Sequence, residues 1–162
     1  MTGDEVNRRR GTTWSKEATP SATSLKLLSA GSSSAWALGE DDGSQDVLLQ
    51  RRGDGTWTIK TPARDAALTS LHALWVAPGG EIFLATDDGM LRSANNGATW
   101  SEQEMIDPAT VIWGRSGTDA YAASVSGLLH YDGKAWSRTS YSGKTLALGG
   151  TAKDVLVVRA DE

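Results

Sequence analysis

Apolar residues in this chain fall in short clusters separated by turn-forming residues, and four of the clusters are built alike. Leu28, Trp75, Trp113 and Leu148 each precede, by eight residues, one of Trp36, Phe83, Tyr121 and Leu156. The intervening residues are small and polar, at 29–34, 78–81, 116–119 and 150–154. Two apolar runs joined by such a turn read as a β-hairpin. Four copies at one internal spacing make the chain a repeat protein.

A second series runs in step with the first. Trp14, Trp57, Trp100 and Trp136 close the related phrases G-T-T-W, D-G-T-W, N-G-A-T-W and D-G-K-A-W, at spacings of 43, 43 and 36 residues. That period is close to a four-stranded propeller blade. Each unit reads as strands a, b, c and d. In the third unit these are 111–114, 120–123, 128–131 and 135–138, with Asp132-Gly133 supplying the positive φ of the c–d turn. Asp88-Gly89 and Asp42-Gly43 supply the b–c turns of the second and first units. One stretch competes: Leu68, Leu71, Leu74 and Trp75 also stand at helical spacing, behind Ala66-Ala67. The aligned stretches of the other units lack that pattern, so a strand is expected, with a short helical turn at 65–69 as the alternative.

The fold expected is all-β, a single β-propeller domain over 1–162 with about four four-stranded antiparallel blades. Blades one to three span 25–60, 71–103 and 110–139. The fourth is divided: strands c and d come from 5–16 and strands a and b from 145–160. Joining the ends across that blade gives a Trp136-to-Trp14 spacing of 40 residues, inside the repeat range. Three arrangements fit: a ring closed by the chain alone, two chains exchanging half-blades to make eight blades, or part of a larger propeller.

Composition adds exclusions more than assignments. Seven Trp against one Phe, with eighteen Gly, suit tight turns and aromatic packing between small sheets. A net charge of −4 and a pI near 5.2 argue against nucleic acid or an anionic membrane as partner. With no Cys, thiolate chemistry and disulfides are excluded. No apolar run of membrane-spanning length occurs, and residues 1–10 do not read as a secretory signal. A cytoplasmic location is expected if the sequence is whole, and an extracytoplasmic one if a leader has been removed.

The phrase Ser93-Ala94-Asn95-Asn96-Gly97-Ala98-Thr99-Trp100 resembles the Asp-box, or bacterial neuraminidase repeat, S-x-D-x-G-x-T-W, with Asn95 in the Asp position. The third unit is similar to repeats of bacterial propellers such as photosystem II assembly-factor-like proteins and sialidases. The resemblance implies a propeller and implies that Asn95, Gly97, Thr99 and Trp100 are structural, like Trp14, Trp57 and Trp136. It implies no activity, because such repeats recur across enzymes, receptors and binding proteins. The arginine triad, Tyr–Glu pair and R-I-P phrase of sialidases find no counterpart here.

No catalytic residue, metal site or cofactor is expected. The only histidines, His72 and His130, lack ligand spacing. The acidic b–c turns, Glu40-Asp41-Asp42, Asp87-Asp88 and Asp161 with Glu162, would share one face of the disc. They could form a negative rim for a cation or a basic partner, although Asp before Gly is also what a tight turn selects. Trp75 and Trp113 lie on innermost strands, where a flat indole could stack on a ligand or glue the blades together. The reading is a non-enzymatic module binding a protein or peptide through one loop face. The alternatives are a carbohydrate-binding propeller, or a propeller piece with no activity of its own; a homodimer by half-blade exchange is also open.

Overall fold

The computed structural model describes residues 4–20, 24–60 and 70–160. The segment 61–69, where a helical turn competed with a strand, lies outside these residues, as do Asp161 and Glu162. The described chain is all-β, with sixteen strands. Three complete sheets follow one another in sequence: β3 (Ser24–Ala30) to β6 (Trp57–Ile59), β7 (Leu71–Val76) to β10 (Ser101–Gln103), and β11 (Ala109–Ser116) to β14 (Trp136–Arg138). Within them run β4 (Ala35–Glu40) and β5 (Asp46–Arg51), β8 (Ile82–Thr86) and β9 (Gly89–Ser93), and β12 (Asp119–Ser124) and β13 (Gly127–Tyr131). All pairings are antiparallel between chain neighbours, so each sheet is an up-and-down meander ordered a, b, c, d. The inner strands β3, β7, β11 and β15 lie against one another in turn. This is propeller architecture.

Both halves of the divided blade are present as hairpins: β1 (Val6–Arg10) with β2 (Thr13–Glu17), and β15 (Thr145–Gly150) with β16 (Val155–Arg159). They form two separate two-stranded sheets, and β16 does not pair with β1 in the described chain. The fold is an open arc of three blades flanked by two half-blades.

The repeat is exact enough to be read residue by residue. Every inner strand bears a bulge at the equivalent place: between Leu25 and Leu27, Leu71 and Ala73, Ala109 and Val111, and Thr145 and Ala147. A bulge increases local twist, which suits the inner strand of a blade. One feature of the sequence pattern shifts by a residue. Trp75 faces Phe83 and Trp113 faces Tyr121, but Trp36 faces Ser29 and Leu156 faces Gly149. The turns 31–34 and 151–154 are one residue shorter than 77–81, so Leu28 and Leu148 point away from the face that Trp75 occupies. The Asp42-Gly43 turn also differs from expectation: the left-handed residue there is Ser44 (φ 59°), while Asp41 Oδ1 accepts the N–H groups of Gly43 and Gln45 at 2.9 Å.

Apolar side chains fill the spaces between sheets. Trp36, Leu38 and Leu48 of the first blade meet Leu74, Ile82, Leu84 and Leu91 of the second. Phe83 and Met90 of the second meet Ile112, Leu129, Tyr131 and Trp136 of the third. The N-terminal hairpin is tied to the first blade by a buried carboxylate. Glu17 accepts from Arg51 Nε at 2.7 Å, from Arg51 Nη2 at 2.5 Å and from Trp57 Nε1 at 3.1 Å.

Candidate functional site

The c–d turn of the second blade is the one with the full repeat phrase. Ser93 Oγ accepts the Gly97 N–H at 2.8 Å, and Asn95 Oδ1 accepts the Thr99 N–H at 2.9 Å. Asn95 Nδ2 donates to Thr99 Oγ1 at 2.8 Å, so the amide fills the place of the usual Asp with one extra donor. Asn96 (φ 54°) and Gly97 (φ 79°) take left-handed conformations. The turn rests on the first blade: Trp36 Nε1 donates to Asn96 Oδ1 at 3.3 Å, and a Cβ on Gly97 would lie 2.3 Å from the Trp36 ring. Trp100 then stands edge-on to Trp36, with ring centroids 6.4 Å apart. The side-chain polar groups of Ser93, Asn95 and Thr99 are spent on the turn itself.

The inner tryptophans sit between blades. Trp75 is buried, tilted against Phe83 at 5.5 Å, and its ring would lie 2.7 Å from a Cβ on Gly114 of the next inner strand. Trp113 stands in the same relation to Gly150, also at 2.7 Å. It is half-buried, with the Arg115 guanidinium 6.0 Å from its ring. Around it a polar and aromatic cluster covers the side of the third blade that faces β15 and β16. Tyr121 stacks on His130 at 4.6 Å, Arg115 lies 5.6 Å from the Tyr121 ring, and Asp119 joins Arg115 (2.8 Å) to His130 (2.9 Å).

Glu40, Asp41 and Asp87 have local partners. Glu40 and Asp46 share Lys26, at 2.5 and 3.0 Å, and their hydrogen bonds raise its pKa, that of Glu40 foremost. Asp41 caps its own turn. Asp87 pairs with His72 at 2.5 Å, and that bond, followed by one from Ser70, holds its carboxyl below the usual carboxylate range. Asp42 and Asp88 are exposed. Among the described residues no three His, Cys, Asp or Glu side chains converge as a metal site.

A groove that the sequence pattern did not single out runs along β10, the outer edge strand of the second blade. Two hollows, of about 320 and 420 Å3, share Glu102, Gln103 and Glu104 as a common wall. The first opens at the b–c turn, beside Asp88, with Met90 and Leu91 in its lining. The second continues over Met105 and Ile106 towards Lys134 and Trp136 of the third blade. Ile106 is exposed. The exposed Ile106 and part-buried Met105 next to an acidic wall, beside an edge strand, suit an extended, basic chain. The signal in the sequence is the run Glu102-Gln103-Glu104-Met105-Ile106, whose apolar pair follows strand d instead of lying within it.

No protein-family model matches the chain, and no curated protein matches it. Solved structures do. YCF48 bound to a D1 peptide is similar with a TM-score of 0.64 at 17% identity, over 88% of this chain and 48% of that one. A gluconolactonase-family structure is similar with a TM-score of 0.61 at 16% identity, over 96% of this chain and 63% of that one. Both are propellers, and the chain spans less than two thirds of the length of either. At this identity the likeness concerns the fold, and this chain has the fold of a propeller segment.

Proposed function

We propose that this chain is a non-enzymatic propeller module that binds a protein or peptide partner, taken up as an extended segment along β10. The acidic groove carries the reading. Asp88, Glu102 and Glu104 give it a negative wall, Met105 and Ile106 an apolar stretch, and β10 is the outer strand of its sheet. Main-chain pairing at such an edge supplies affinity, and alternate side-chain pockets supply selectivity. The acidic loop face weighed from the sequence, through Asp88, forms one end of this groove. The peptide carried by the similar YCF48 structure supports the class of partner. A carbohydrate-binding propeller would repeat one polar set in every blade. The equivalent strand c positions here are instead Arg8, Gln50, Arg92 and His130, which does not favour it.

The test is fluorescence polarisation with a short labelled peptide of alternating lysine and valine. Saturable binding is expected, weakened about tenfold or more by Glu102→Lys with Glu104→Lys, since a tenfold change is only about 1.4 kcal/mol. Absent binding, or binding indifferent to the charge reversal, contradicts the reading.

A further inference from the structure

We propose that a second copy of this chain closes the ring, its β1–β2 hairpin completing the blade that β15–β16 begins, and the reverse at the other junction. Two chains then give eight blades, within the range that propellers close, related by a two-fold axis.

The N-terminal hairpin already sits as strands c and d of a blade ahead of the first. Asp46, at the start of strand c in the first blade, accepts the Leu71 N–H of the next inner strand at 2.6 Å. Asp4, at the equivalent place before β1, accepts the Leu25 N–H at 2.8 Å. The missing strands a and b leave a cleft of about 260 Å3 between β1 and the first blade, lined by Val6, Asn7, Leu25, Leu27, Leu28 and Ala37. Leu28 is 62% exposed there. β15–β16 has the complementary deficit: Leu146, Leu156 and Val158 are exposed.

The strand d tryptophans say the same. Trp100 packs edge-on against Trp36 at 6.4 Å, and Trp136 packs edge-on against Phe83 at 6.1 Å, each time on strand b of the preceding blade. Trp36 and Phe83 are fully buried as a result. The next residue in the strand b series is Tyr121, which is only half-buried, and the remaining strand d tryptophan is Trp14, 64% exposed. Trp57 and Trp136, by contrast, are 4% and 7% exposed. Trp14 of one copy therefore docks on the Tyr121–His130 stack of the other.

Carrying over the strand b to strand c register of the third blade sets the junction. Ala123 faces Leu128 and Ser124 faces Gly127 there. The same offset places Val158 opposite Val6 and Arg159 opposite Glu5, an apolar pair and an opposite-charge pair.

Light scattering coupled to size exclusion tests this directly. The expected mass is twice the 17.1 kDa of one chain. Trp14→Ala should raise the dimer dissociation constant about thirtyfold, the scale of a buried aromatic anchor, and Tyr121→Ala should weaken the dimer as well. Trp14 is exposed in the single chain, so its variant keeps the same circular dichroism spectrum. Val6→Pro, which blocks the pairing edge, should give a 17.1 kDa species. A wild-type monomer overturns the proposal, because the edges are then covered by something other than a second copy. So does a dimer unmoved by Trp14→Ala and Val6→Pro, whose interface lies elsewhere.

Discussion

Trp100 meets Trp36 edge-on, with ring planes 88° apart, and the Asn96 carboxamide of the same turn receives the Trp36 indole N–H at 3.3 Å. One turn of the second blade thus clamps the first through both the ring and the nitrogen of a single side chain. Trp36 is fully buried. Trp36→Ala should cost about 3–5 kcal/mol, the usual range for deleting a buried aromatic. Equilibrium urea unfolding measures it, and a loss below 1 kcal/mol or so would show that the blades are held by something else.

The amide at Asn95 makes a finer prediction about the repeat phrase. Its oxygen receives the Thr99 N–H, which a carboxylate would do equally well, and the Thr99 hydroxyl can turn to donate where the amide nitrogen is lost. Asn95→Asp should therefore change stability by no more than about 0.5 kcal/mol. Asn95→Ala, which removes the acceptor, should cost about 1–2 kcal/mol. Equal losses from both would place the importance of Asn95 outside this turn.

Two adjacent glycines separate close approach from mere flexibility. A Cβ on Gly150 would lie 2.2 Å from the Asp154 carbonyl oxygen and 2.7 Å from the Trp113 ring, whereas one on Gly149 meets nothing within 4 Å. Gly150→Ala should destabilise by about 1–3 kcal/mol through overpacking. Gly149→Ala should be neutral or stabilising by up to about 1 kcal/mol, since it restricts the unfolded chain. Thermal unfolding of the pair gives the ordering, and the reverse ordering would contradict the described inter-blade packing.

Glu17 gives the fold an acid-sensitive joint. Arg51, then Trp57 and Arg8, hold its carboxyl below its ordinary value near 4.5, against the opposing effect of burial. A depressed folded-state pKa means that the stabilisation is complete above the ordinary value. It is lost as pH falls through the lowered one. Glu17→Gln should cost about 3 kcal/mol near neutrality by leaving Arg51 without its anion, and should flatten the fall in stability below pH 4.5. Urea titrations of both proteins across that window measure this, and parallel curves would contradict it.

Repeats made the architecture legible, because Trp57, Trp100 and Trp136 each stand near the start of strand d and Trp36, Phe83 and Tyr121 each occupy the same place in strand b. The one-residue difference between the 31–34 and 77–81 turns was not legible. Turn length fixes which face Leu28 takes, and the apolar spacing of eight hides it. The groove along β10 leaves no mark in the repeat pattern because Met105 and Ile106 belong to a connection, where periodicity carries no information. The Glu17–Arg51 pair spans 34 residues and joins two units of the repeat, so no local pattern reveals it. Nor did the pattern decide whether the two half-units meet in one chain: that depends on curvature, which accumulates over every blade.

The junction between half-blades can be probed with introduced thiols, because the chain contains no cysteine of its own. Val6→Cys and Val158→Cys in one chain, oxidised and run on a non-reducing gel, test the strand b to strand c register across it. Facing strand positions bring Cβ atoms to about 4.5–5.5 Å, close enough to bridge with a small adjustment. The expected product is a covalent dimer linked at both junctions, formed only by the double variant, with each single variant running as one chain. A disulfide formed within one chain, or none at all, would contradict completion of the ring by a second copy.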